Sequence, residues 1–130
     1  MTKLASISGT VRHGSGRGRE LGFPTANLAV DTEALELSPG VYVGRARWEG
    51  SATYGAVVNF GVRPTFADSE FCLEVYVIDF TGDLYGREII LALSKRLRDE
   101  KRFDSAEELT QQIQSDIDCA RRILASLQPA

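Results

Sequence analysis

At 130 residues, 43% hydrophobic and 25% charged, the chain has the size and composition of one globular unit rather than a string of domains. Its net charge of -3 argues against a phosphate-backbone binder, and no apolar run approaches the roughly 18 residues that a membrane span needs. One histidine, His13, excludes any site built on two imidazoles, and Cys72 and Cys119 are too few and too far apart for a disulfide framework or a zinc site.

The N-terminus, Met1 to Ala5, lacks the long apolar segment of a signal peptide, so a cytoplasmic location is expected. The first strand is predicted over Ala5 to Arg12. A glycine-rich run follows, with Gly14, Gly16 and Gly18 alternating and with Arg12, His13, Arg17 and Arg19 falling within eight residues. Alternate glycines let a backbone approach an anion and aim its N–H groups at oxygen atoms, and the arginines offer fixed positive charge for a polyphosphate. The run is neither a Gly-Lys-Ser/Thr phosphate loop nor a dinucleotide fingerprint, because no helical pattern follows it. A surface loop between strands satisfies the same residues.

Pro24 fixes its own φ and holds Phe23 extended, which makes a rigid turn. Thr25 and Asn27 are two apart, so extended backbone points both side chains to one face. A hydroxyl and an amide oxygen are hard ligands suited to Mg²⁺ held mainly by phosphates and water, although a strand-start turn explains the pair equally well.

Further strands are predicted over Val41 to Trp48, Thr53 to Phe60, Phe71 to Asp79 and Glu88 to Leu97. Turn residues at Glu49-Gly50-Ser51 and at Thr81-Gly82-Asp83 each suggest a hairpin. Short strands without βαβ alternation argue for an antiparallel barrel or sandwich. Within Phe71 to Asp79, alternation puts Glu74 on one face with Cys72, Tyr76 and Ile78, opposite Leu73, Val75 and Val77. Both faces are fairly apolar, so a carboxylate there is costly unless it is paired, solvated or functional. Trp48, Tyr42, Tyr54 and Tyr85 read as core or barrel-rim residues. The segment Arg63 to Phe66 reads as a rigid loop, either a structural turn or a ligand- or partner-facing one.

The clearest helix comes last. Ser105 caps it, Glu108 completes the capping-box spacing, and Leu109, Ile113, Ile117, Ala120 and Leu124 form one apolar stripe. Residues 1–130 are thus read as one domain, a barrel over about 1–100 with a helix over about 105–127.

Six segments, in order, carry a family resemblance: Gly-Arg-Gly-Arg-Glu-Leu-Gly-Phe-Pro-Thr-Ala-Asn (16–27), Ser-Pro-Gly-Val-Tyr (38–42), Val-Asn-Phe-Gly-Val-Arg-Pro-Thr-Phe (58–66), Leu-Glu-Val-Tyr-Val-Ile-Asp-Phe (73–80), Asp-Leu-Tyr-Gly (83–86) and Leu-Arg-Asp-Glu-Lys-Arg-Phe-Asp-Ser (97–105). The chain resembles the bacterial riboflavin kinase domain, which also forms the C-terminal half of bifunctional FAD synthetases. That resemblance implies a mainly β fold, a six-stranded antiparallel Greek-key barrel with a C-terminal α-helix. It implies transfer of the ATP γ-phosphate to the ribityl terminal hydroxyl of riboflavin, giving FMN and ADP, with Mg²⁺ as cofactor.

The residues it implies are Glu74 as catalytic base and Gly9, His13, Gly14, Gly16, Arg17, Gly18, Gly22, Thr25, Asn27 and Tyr76 around ATP. Thr25 and Asn27 also meet the metal, and Arg98 and Phe103 meet flavin. The competing reading of 97–103 is a solvated charge run with Phe103 as a hydrophobic staple. Two departures stand out: bacterial members often carry His where this chain has Tyr76, and a His-x-Gly-His-type adenylyltransferase motif has no place in a chain with one histidine. An adenylyltransferase domain in a longer parent protein is an expected partner, as are a monomeric state and the absence of nucleic-acid and membrane partners. The rival from another class is a non-catalytic flavin-binding or regulatory barrel.

Overall fold

The computed structural model describes residues 5–12, 22–31, 35–64 and 69–127. Six strands are present: β1 (Ala5–Arg12), β2 (Ala26–Ala29), β3 (Gly40–Arg47), β4 (Tyr54–Pro64), β5 (Ser69–Val77) and β6 (Glu88–Arg98). One helix, α1 (Ala106–Ser126), follows them. The strands close into an antiparallel barrel in the order β1-β2-β5-β4-β3-β6. Strands β3, β4 and β5 form a meander and β6 returns beside β3, which is the Greek-key arrangement. The short β1–β2 pair then bridges β6 and β5, so no edge is left open.

Period-2 alternation sends one side-chain set inward. Ile7, Val11, Leu28, Tyr42, Ala46, Val58, Phe60, Leu73, Val75, Ile89, Leu91 and Leu93 are all buried in one core. Several strands are apolar on the outer face too, because α1 lies across β3 and β4. Ile117 and Ala120 of α1 are buried there with Val43 and Ile78, and Ile113, Ile123 and Leu124 pack at the margin. Gly55 makes this approach possible: a Cβ added there would stand 2.7 Å from Leu124 Cδ1. Ser105 Oγ accepts the Glu108 N–H at 3.1 Å, which gives the helix start its cap.

Three expectations need correction. The turn at Glu49-Gly50-Ser51 does join paired strands, with Gly50 at φ 80° and Ser51 N–H donating to Trp48 C=O at 3.0 Å. The turn at Thr81-Gly82-Asp83 does not make a hairpin, since β5 pairs with β2 and β4 whereas β6 pairs with β1 and β3. Turn chemistry reverses the chain but does not choose the partner. Here the connection crosses the barrel end, buries Leu84, and ties to β1 through Gly86 N–H to Val11 C=O (2.9 Å) and Val11 N–H to Arg87 C=O (2.8 Å). Second, the segment 26–29 joins the barrel as β2, which the strand reading had left out. Third, Arg63 and Pro64 belong to β4, in register with Glu70 and Ser69, so these two are strand rather than the loop expected. Thr65 and Phe66 lie outside the described residues. No helix among the described residues is long and apolar enough to cross a membrane.

Candidate active site

Strand register creates a row of residues on the outer face of the barrel. Arg12 on β1 is opposite Asn27 on β2, Asn27 is opposite Glu74 on β5, and Glu74 is opposite Asn59 on β4. Asn59 is opposite Val41 on β3, which is opposite Arg98 on β6. Directly opposed residues in antiparallel strands project to the same side, with Cβ atoms about 4.5–5.5 Å apart. One carboxylate therefore stands between two amides, with a guanidinium at each end of the row.

Two cavities open along this row. The first, about 330 Å³, is lined by Arg12, Gly22, Pro24, Thr25, Asn27, Glu74, Tyr76 and the connection from Phe80 through Tyr85. The second, about 300 Å³, lies under α1. Its floor and roof are apolar, from Val41 and Val57 of the sheet and from Leu109, Ile113 and Ile117 of the helix. Phe23 and Phe103 line it as well, together with Asn59, Arg98, Glu100, Lys101 and Asp116. Thr25, Glu74 and Tyr76 line both cavities. Tyr76 is held there by an edge-on contact with Phe23, ring centroids 6.0 Å apart.

Asn27 is 2% exposed, and neither its amide nitrogen nor its amide oxygen finds a hydrogen-bond partner among the described residues. Leaving a buried amide unpaired costs on the order of 1–3 kcal/mol, so the side chain is a candidate to bind a ligand. An amide oxygen and the nearby Thr25 hydroxyl are hard donors, a chemistry that fits a divalent cation carried in with phosphate. Among the described residues no group of three or more His, Cys, Asp and Glu gathers as a cation site. Phosphate and water oxygens would have to complete the shell, as is usual for Mg²⁺.

At the far end of the second cavity, Arg98 is clamped. Its Nε donates to Asp116 Oδ1 at 2.9 Å and its Nη2 to Oδ2 at 2.7 Å, in a bidentate pair. The two side chains are only 18% and 8% exposed. Gln112 Nε2 adds a 2.9 Å bond to Asp116 Oδ1, and Arg98 Nη1 donates to Asp99 C=O at 2.8 Å. The clamp ties Asp99, at the start of the 99–103 segment, to the helix through Arg98.

The expected site residues divide into three groups. Gly22, Thr25, Asn27, Glu74 and Tyr76 line the first cavity, and Arg98 and Phe103 line the second. Gly9 lines neither. It is buried on the inner face of β1, where an added Cβ would meet Val30 Cγ1 at 2.7 Å and Ala29 C=O at 2.8 Å, so its place is one of close packing. His13, Gly14, Gly16, Arg17 and Gly18 lie outside the described residues. Sequence reasoning missed Asp116 and Asn59. Asp116 was signalled by position, since it falls three residues after Ile113 and four before Ala120, on the face the helix buries.

The riboflavin kinase (flavokinase) family model matches residues 1–124. The bifunctional riboflavin kinase/FMN adenylyltransferase of Escherichia coli K12 is 41% identical over 125 residues, 96% of this chain and 40% of that protein. An RNA-binding riboflavin kinase of Bacillus subtilis is 44% identical over 120 residues, 92% of this chain and 51% of that protein. The chain therefore spans about half the length of these curated relatives or less. Among solved structures, a riboflavin kinase from Trypanosoma brucei shares the fold with a TM-score of 0.68 and 24% identity, over 97% of this chain and 83% of that one. A Streptococcus pneumoniae chain described as a macrolide-efflux protein superposes with a TM-score of 0.81 and 34% identity, over 89% of this chain and 38% of that one. By the family match and these curated relatives, the chain belongs to the riboflavin kinase family.

Proposed function

We propose that the chain transfers the γ-phosphate of ATP to the ribityl terminal hydroxyl of riboflavin, giving FMN and ADP. The observation that carries this reading is the position of Glu74 at the junction of the two cavities, one polar and bounded by a rigid Phe-Pro-Thr turn, the other a slot between apolar walls. A flat aromatic ring system fits between Val41 and Val57 on one side and Leu109, Ile113 and Ile117 on the other. The nucleotide phosphates belong beside Thr25 and Asn27. The two substrates then meet at Glu74, the one carboxylate common to both cavities.

In this reading Glu74 accepts the proton of the ribityl terminal hydroxyl as that oxygen bonds to the γ-phosphorus. The bond from phosphorus to the β–γ bridging oxygen breaks, and ADP leaves with its electron pair. Phosphoryl transfer through a loose transition state depends chiefly on positioning and charge stabilisation, and the base adds on the order of 10² to 10⁴. Thr25 and Asn27 would hold Mg²⁺, which when bound neutralises charge on the phosphate oxygens. Arg98 and Phe103 frame the flavin slot, and Tyr76 separates it from the nucleotide.

The test is incubation with riboflavin, ATP and Mg²⁺, chromatographic separation of flavins, and a Glu74→Gln variant run beside the wild type. FMN from the wild type, with kcat lowered on the order of 10²-fold or more in the variant, is the expected result. Undiminished turnover by Glu74→Gln removes the base assignment. Riboflavin binding without any FMN turns the reading to a flavin-binding barrel.

A further inference from the structure

The outer-face row contains a second amide that the phosphotransfer scheme leaves unused. Asn59 is in register with Glu74, on the side away from Asn27, and the two amides differ in setting. Asn27 is sealed and lines the first cavity; Asn59 is exposed and lines the second. No hydrogen bond occupies the Asn59 amide among the described residues. Along the row, Glu74 is followed by Asn59 and then by Val41, part of the apolar floor. A substrate whose ring rests on that floor and whose terminal hydroxyl reaches Glu74 must run its connecting chain past Asn59.

We propose that Asn59 is a specificity-determining residue that hydrogen-bonds the interior hydroxyls of a polyol chain, so that the site selects a hydroxylated tether over a plain alkyl one. The proposal rests on the phosphotransfer reading and deepens it. An amide suits the task because it carries both donor and acceptor, and a polyol hydroxyl is both at once. Open to solvent before binding, the amide becomes covered once the slot is filled. An analogue lacking the hydroxyl would then leave it desolvated and unpaired, which is how a site built to bind a hydroxyl rejects its deoxy counterpart. Carboxylate or ammonium at this position would add charge beside Glu74; the amide keeps the carboxylate's surroundings neutral.

The experiment compares riboflavin with an isoalloxazine bearing a 5-hydroxypentyl chain at N10, which keeps the reacting hydroxyl and removes the interior ones. Both are measured on wild type and on Asn59→Val, a replacement that keeps strand propensity and removes the hydrogen bonds. The variant is expected to lose about tenfold in kcat/KM for riboflavin and to keep the analogue within about twofold, with KM for ATP unchanged. Equal losses on both substrates, or none on either, overturn the proposal, because a purely structural residue does not sense the substrate's hydroxyls. Glu74→Gln in the same assay separates the two readings: it should lose turnover on both flavins alike. If the wild type phosphorylates neither flavin, the kinase reading falls, and equilibrium binding of the two flavins decides on Asn59. An affinity ratio that collapses in the variant upholds its recognition of the polyol, and an unchanged ratio ends it.

Discussion

The two cavities that meet at Glu74 are made of different material. The first is framed by strand ends and by turns, with Gly22 (φ 87°), Pro24 and the connection over the barrel end, and its buried Asn27 amide has no hydrogen-bond partner among the described residues. The second is framed by regular elements, a sheet face and a helix stripe, and within it Arg98 and Asp116 are paired to each other. Under the proposed function, phosphate oxygens and their counter-ion would bring strong hydrogen-bonding partners to the first cavity, which suits the unpaired Asn27 amide. A flavin ring would bring mainly apolar area, so under the same proposal the second cavity can use Arg98 and Asp116 to hold its own walls together.

This contrast makes opposite demands on stability and activity, and variants can separate them. Asn27→Val is expected to lower kcat/KM on the order of 10²-fold or more while leaving the thermal midpoint equal or higher, because an unpaired buried amide is exchanged for an apolar side chain. Calorimetry beside the flavin assay checks both halves, and a falling midpoint would show that the amide is satisfied in the free protein. Asp116→Ala is expected to do the reverse. It strands a mostly buried guanidinium, costing about 3 kcal/mol of unfolding free energy, and it loosens the 99–103 segment, so KM for riboflavin rises while KM for ATP holds. Denaturant titration and separate KM measurements read the two effects. Equal rises in both KM values would remove the distinction between the cavities.

Gly9→Ala tests whether that glycine is packing or phosphate site. Wedging a Cβ against Val30 and Ala29 C=O should cost about 1–3 kcal/mol and leave KM for ATP unchanged. The smallest effect is expected at the exposed Asp79–Arg121 pair, which is bidentate at 2.8 and 2.9 Å. Hydrogen bonding to Arg121, joined by its positive charge, holds the Asp79 carboxyl below its ordinary value against the opposing effect of desolvation. Since the folded-state value is depressed, the pair's contribution is present above the ordinary aspartate pKa and fades as pH falls through the lowered one. In Arg121→Ala the Asp79 titration followed by NMR should move up, with little change in midpoint at neutral pH.

The sequence pattern gave away what depends on local period and lost what depends on closure. Alternation correctly divided Glu74, Tyr76 and Ile78 from Leu73, Val75 and Val77, and only the second set turned out to face the barrel interior. The α1 stripe and its Ser105 cap were equally legible, since 3.6-residue spacing and a hydroxyl before the first turn are local facts. Strand β2 was not, because four residues after a proline turn show no alternation of their own and become a strand only by fitting between β1 and β5. The crossing after β5 stayed hidden for the same reason. Thr25, Asn27 and Glu74 came from motif and resemblance, and cavity geometry has now brought them together. Asp116 and Asn59 could not be found that way, because their importance lies in a partner across the fold, 18 residues away for Arg98 and on a neighbouring strand for Glu74.

Trp48, the sole tryptophan, stacks on Tyr54 with centroids 5.3 Å apart and meets Phe80 edge-on at 4.9 Å. Phe80 is also part of the first cavity wall, so the sole tryptophan is coupled by ring contact to the cavity proposed for the nucleotide. Flavins absorb where tryptophan emits, and a ring bound on the helix side would drain the same excited state by energy transfer. Under the proposed function the chain would be its own optical gauge, with small environmental shifts in emission reporting one ligand and quenching reporting the other.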